Sequence, residues 1–262
     1  MLPERNSDAA GRLLSKGLWI GAALLAGACV AYASNGAPKA PSAPLLTRDF
    51  EGIWSGTQGV IWETNLKPGE PENPPFTPEF AARYQAARAA AAAGKPKADP
   101  PAGCLPPGIP RIMASPFPFE IIQKPKTIYI MFEYMSQVQR IFLDGSGPGS
   151  LGLATFNGYS QGHWEKNDLV VNTVDLNPIS VLDTTHVETS DALKVEERFR
   201  LIGADKLQVT ITLDDPKAFV HPWVTQRTYV RKSGEQILPY VCEENNRNPI
   251  KPDGTTDFIG AK

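Results

Sequence analysis

The sequence predicts a mainly β protein, an antiparallel meander closing into a barrel of about eight to ten strands with one surface helix. Three observations carry this. From Phe119 onward apolar and polar residues alternate with period two. Turn chemistry interrupts the alternation every eight to twelve residues. The links are mostly short, which makes chain neighbours antiparallel. Closure is favoured because it removes exposed strand edges. A β-sandwich is the alternative, and a propeller is disfavoured because no period of 20–50 residues repeats.

In chain order, residues 1–33 read as an export signal. Arg5, Arg12 and Lys16 flank an uncharged run from Gly17 to Val30, and Ala31-Tyr32-Ala33 fits a signal-peptidase site. Two other readings stay open. The apolar stretch is just long enough to remain as an uncleaved membrane anchor, or Cys29 is lipidated. All three place the remaining chain across the membrane, periplasmic or secreted, or anchored by its N-terminal segment. Residues 34–47, rich in Pro, Ala and Ser, read as a flexible leader, and 48–262 as a single barrel-like domain with a Pro-rich and helical insertion at 64–117.

The domain opens with a short strand around Phe50 to Trp54. Thr77-Pro78, with Glu79 in the first turn, starts a helix that runs to Ala93 and ends at Gly94-Lys95-Pro96. Its apolar face is thin, mostly alanine with Phe80 and Tyr84, which places it on the surface. The predicted strands are 119–123, 127–134, 137–143, 158–165, 168–174, 192–201, 206–213 and 223–231. Lys124-Pro125-Lys126, Asp144-Gly145, Lys166-Asn167, Gly203-Ala204-Asp205 and Asp214-Asp215-Pro216 supply the turns between them.

A net charge of −2 with 21% charged residues offers no basic surface for nucleic acid, and none is expected as a partner. Membrane contact is expected only through the N-terminal segment. After cleavage two cysteines remain, Cys104 and Cys242, and an even pair in an oxidising compartment reads as a disulfide.

Several segments resemble a large group of functionally uncharacterised, exported, β-rich proteins of proteobacteria and acidobacteria. They are Asp49 to Trp54, Cys104 to Gly108, Ile141 to Gly145, Gly162 to Glu165, Glu197-Arg198, and Asp214-Asp215-Pro216 ahead of Pro222-Trp223. The resemblance spans about residues 49 to 244 and implies secretion and a β fold, not a reaction. Gly52-Ile53-Trp54 is also similar to the opening strand of lipocalin-like barrels, although the long stretch before the next strand departs from that pattern.

Phase along the strands selects the first site residues. On 192–201, Glu197 falls with Leu193, Val195, Phe199 and Leu201 and therefore points inward. On 137–143, Arg140 falls with Val138 and Phe142 and is expected to point inward as well. Charges inside a barrel need a partner, a ligand or water, so Glu197 and Arg140 are expected to share one polar site. Asp183, His186 and Glu188 cluster in a long irregular link, where a histidine beside carboxylates is suited to acid–base work. Glu133 and Tyr134 stand where they can face the same mouth.

Three histidines without ligand spacing give no expectation of a metal. There is no G-x-S-x-G, no phosphate loop and no dinucleotide fingerprint opening a helix, and no cofactor is expected. The leading functional reading is an exported barrel that binds a small, largely apolar molecule. The alternatives are a cofactor-free isomerase, lyase or hydratase-type enzyme using His and carboxylates at the barrel mouth, and an envelope-associated structural domain.

Overall fold

The computed structural model describes residues 48–58, 62, 72–147, 150 and 152–245. The signal and leader at 1–47 and the tail at 246–262 lie outside the described residues, as does most of 59–71. The chain forms one closed barrel of nine strands in sequential order. They are β1 (Gly52–Gly56), β2 (Phe119–Lys124), β3 (Thr127–Phe132), β4 (Val138–Leu143), β5 (Tyr159–Glu165), β6 (Asp168–Val174), β7 (Lys194–Gly203), β8 (Lys206–Asp214) and β9 (Trp223–Lys232). Helix α1 (Pro78–Ala92) precedes β2, and a single turn, α2 (Cys242–Asn245), follows β9. Among the described residues no helix is long and apolar enough to cross a membrane.

The ring closes where β1 pairs antiparallel with β9, from Ile53 opposite Lys232 to Gly56 opposite Tyr229. One pair departs from a pure antiparallel meander. β4 and β5 run parallel, with Ile141 opposite Ser160 and Leu143 opposite Gly162. The reason lies in the link between them, residues 144–158, which is long enough to carry the chain back to the end where β4 began. The tighter links behave as their residues require. Lys166, for instance, takes a left-handed φ of 55° in the two-residue β5–β6 turn.

The barrel interior is the hydrophobic core. Ile128, Ile130 and Phe132 of β3, Val195 and Phe199 of β7, and Val209 and Ile211 of β8 all point into it and are buried. At the end where β2 and β7 begin, the insertion folds in as a plug of Ile109, Ile112, Met113 and Trp62. The Tyr229 hydroxyl donates to the Met113 carbonyl at 2.7 Å, and the Trp62 indole N–H donates to the Leu182 carbonyl at 2.8 Å. At the other end Phe50 stacks on Trp164, with ring centroids 5.7 Å apart. Trp54 donates to the Phe50 carbonyl at 2.9 Å and carries the Arg231 guanidinium 4.5 Å above its ring.

Cys104 and Cys242 are bonded, with Cα atoms 5.6 Å apart. The bridge pins the segment after β9 to the insertion and closes a span of 138 residues. In the chain-entropy account such a loop contributes about 3–5 kcal/mol. Helix α1 does lie on the surface, but its Phe80, Tyr84 and Ala87 form a buried stripe. Phe76 contacts Tyr84 and Phe219, and Thr77 N–H donates to the Ala218 carbonyl at 2.8 Å, which ties the helix start to the β8–β9 link.

Gly162 marks how close the parallel strands lie. A Cβ there would stand 2.7 Å from Ile141 Cγ2 and 3.1 Å from Leu143 Cδ2. Gly162→Val is therefore expected to overpack the seam and lower stability by about 1–3 kcal/mol, read from denaturant melts; a neutral result would show that the seam has slack.

Candidate functional site

Two groups of polar side chains stand out, one inside the barrel and one at its plugged end. The inner group is built on β4 to β7. Glu197 points inward, as its phase requires, and is 0% exposed. Its neighbour across the interior is Gln139, whose Nε2 donates to Glu197 Oε2 at 2.7 Å and to Ser160 Oγ at 3.2 Å. Ser160 in turn lies 2.8 Å from the Thr173 hydroxyl. Glu197 Oε1 and Gln139 Oε1 are buried and have no hydrogen-bond partner. Burial raises the Glu197 carboxyl to about 7, partly opposed by the Gln139 hydrogen bond. Burial likewise pushes the inward Tyr229 phenol up, with the charge of the buried Arg227 opposing it.

Arg140 is not part of this group. It lies on the outer face, exposed, with its guanidinium 4.4 Å over the Phe142 ring and 5.8 Å over Tyr129. The inward set of β4 is Gln139, Ile141 and Leu143, one residue out of phase with the expectation. Both faces of this strand carry apolar residues. Val138 and Phe142 imitate a core set, yet Val138 is 42% exposed and Phe142 is shielded by the arginine above it. A one-residue slip exchanges the faces, and with them the expected partner of Glu197.

The outer group lies in the link between β6 and β7. Asp183 is buried and organises its own loop. Its Oδ1 accepts from the Thr185 amide and hydroxyl, both at 2.8 Å, and from the Val187 amide at 3.4 Å. Such local bonding to the backbone two residues on is what an Asp-Thr-Thr stretch favours. His186, with φ 63°, is buried and donates from Nε2 to the Lys97 carbonyl at 3.0 Å. Glu188 faces outward and pairs with Lys97 at 2.8 Å and Arg83 at 3.7 Å. The three residues thus share a loop but face different partners, and among the described residues no hydrogen bond or ion pair joins any of them to Glu197.

Glu133 and Tyr134 are at the same end of the barrel but serve another segment. Glu133 Oε2 accepts from the Leu238 amide at 2.8 Å. The Tyr134 ring stacks on Phe117 at 5.0 Å and meets Tyr240 edge-on at 5.4 Å, fastening the chain that leads to Cys242. Burial and the nearby Tyr240 raise the Tyr134 phenol above its ordinary range.

Between α1 and the 183–188 loop lies a cavity of about 370 Å³. Tyr84, Ala87 and Ala91 form its helix side, with Pro96 beside them, and Thr185 and His186 form its loop side. The Tyr84 hydroxyl spans the two sides, 3.3 Å from Thr185 Oγ1, and since that hydroxyl already donates to Asp183 it accepts here. Arg88, Lys97 and the buried Glu72 complete the rim. The volume lies in the usual range for small-molecule sites, about 300–1,000 Å³. Sequence reading reached His186 but missed this helix face, because alanines spaced along a surface helix give no signal of a concave partner. It read Asp215 as turn chemistry alone, whereas the residue is buried and ties Ser190 to the start of the β8–β9 link through bonds of 2.6 Å to the Ser190 amide and hydroxyl.

Among the described residues no three His, Cys, Asp or Glu side chains converge as metal ligands. His163 pairs with Glu165 on the outer face, and His221 lies against its neighbour's carbonyl. No family model matches this chain, and no curated protein matches it.

Asp183→Ala removes three acceptor contacts from a buried loop and is expected to cost about 1–3 kcal/mol. Arg140→Ala, on the outer face, is expected to change stability by less than about 1 kcal/mol. Parallel urea melts of the two variants check both values, and equal losses would contradict the face assignment.

Proposed function

We propose that this chain is an exported barrel protein that binds a small, largely apolar molecule, and that the molecule sits between α1 and the 183–188 loop. The observation that carries the reading is the cavity itself. It combines alanine, proline and tyrosine surface with a few polar groups fixed by other bonds, the composition small-ligand sites generally have. The floor is held from both sides, by the Tyr84–Thr185 contact and by the His186–Lys97 bond. A ligand would therefore meet walls that need little reorganisation, which favours binding.

Export is supported by the disulfide, since such bridges persist in oxidising compartments, and by the signal-like N-terminal sequence. The resemblance to exported β-rich proteins points the same way. The acid–base alternative lacks a comparable observation. Asp183 is committed to its loop and Glu188 to two cations, and among the described residues the His186 ring bonds a backbone carbonyl rather than a carboxylate.

Ala91 lines the cavity from the exposed side of α1. Ala91→Trp should fill the cavity while leaving the buried stripe intact. Native mass spectrometry of protein purified from its own host is expected to show a small molecule carried by the unaltered chain and lost from the variant, with the two chains melting alike once stripped of ligand. A ligand retained by Ala91→Trp would place the binding site elsewhere.

A further inference from the structure

We propose that Glu197 and Gln139 form a neutral acid–amide pair that works as a proton-operated latch across the parallel β4–β5 seam. The inference goes beyond the ligand reading and does not depend on it. Gln139 sits on β4 and Glu197 on β7, so their bond is a chord through the interior that spans β5 and β6. Gln139 also bonds Ser160 on β5, and Ser160 bonds Thr173 on β6, so the chord and the wall bonds enclose the seam. The seam itself is short, with three register pairs and the less stable parallel geometry.

The chemistry follows from which atoms lack partners. The one bond between the two groups uses Gln139 Nε2 and Glu197 Oε2. The two oxygens left over, Glu197 Oε1 and Gln139 Oε1, are both acceptors, both buried and both without a donor. A carboxylate has no hydrogen to offer, whereas a carboxylic acid has one. A single proton on Glu197 Oε1 supplies the donor that Gln139 Oε1 lacks, and the pair becomes doubly bonded and uncharged. Among the described residues no cation forms an ion pair with Glu197, and only burial and the Gln139 bond shift its carboxyl. On the strands paired with β7 its direct neighbours are Val171 and Ile211. From β9 the ionisable groups turned inward are Tyr229, which Glu197 influences, and Arg227, whose charge acts on Tyr229.

The sign of the pH effect is fixed by this arrangement. A carboxyl raised from 4.5 to about 7 holds its proton in the closed barrel and loses it when the seam opens to water. The latch is fully closed below 4.5, weakens as pH rises, and is spent above about 7.

Hydrogen exchange of the full chain, with rates corrected for intrinsic pH dependence, tests this. Protection of the 141–143 and 160–162 amides should fall by up to about tenfold per pH unit between 4.5 and about 7, then level off. The β2–β3 ladder, which the chord does not bridge, should keep its protection. Glu197→Gln puts a neutral amide able to donate and accept in place of the acid, and should hold the seam protected across the whole window. Carbon NMR of the glutamate carboxyls in the unaltered protein gives a readout that needs no variant, with one carboxyl still protonated midway through that window. Every glutamate titrating in the ordinary range, a fall shared equally by β2–β3, or an unchanged pH profile in Glu197→Gln would each overturn the latch.

Discussion

A closed ring of nine strands cannot be antiparallel throughout. Each antiparallel neighbour reverses direction, and a circuit returns to its starting direction only after an even number of reversals. Nine strands therefore force at least one parallel pair, and here β4–β5 is that pair. Much else follows from this parity. The chain must cross from one end of the barrel to the other without adding a strand, so the 144–158 link is long where most other links are tight. The strands at the seam must also approach closely over few residues, which the bare Gly162 permits.

The polar interior is concentrated beside this seam. Elsewhere the barrel wall turns mostly aliphatic and aromatic side chains inward, with Thr225 and Arg227 of β9 the polar additions, whereas β4, β5 and β6 contribute Gln139, Ser160 and Thr173. Polar groups in a dry core are costly unless they bond one another, and these do so in a continuous series that ends at Glu197. Directional bonds specify register more sharply than apolar contacts, which many alignments satisfy. A short ladder with evenly spaced, slanted bonds has the greatest need of such specification.

The strands were legible in the sequence because each depends on local alternation and local turn chemistry. Eight predicted segments between residues 119 and 232 reappear with their ends shifted by two residues or fewer. Inwardness was legible for Glu197, where the opposite face of β7 runs Lys194, Glu196, Arg198 and Arg200. It was misread for Arg140, where both faces of β4 carry apolar residues and the outer ones are covered by the arginine itself. The parallel pairing and the chord from β4 to β7 depend on ring closure, which no local pattern records. The His186 loop shows the same limit. Its residue types suit acid–base chemistry, but their partners, Lys97 and Arg83, come from the insertion roughly a hundred residues earlier.

The insertion between β1 and β2 therefore decides what kind of barrel this is. An open barrel offers its interior as the binding site, but here Ile112, Met113 and Trp62 enter one end and bond to the wall and to the β6–β7 link. The same insertion then lays α1 over the outside of that link, held by Thr77 to the β8–β9 link and by Tyr84 to Thr185. Concave surface is thereby moved from the lumen to the rim, between a helix and a loop that are both anchored at their ends. The disulfide fixes this relocation, because it joins the insertion to the segment that follows the last strand. Interior and rim are left free to differ: the interior sets the cohesion of the ring, and the rim carries the concave surface open to solvent.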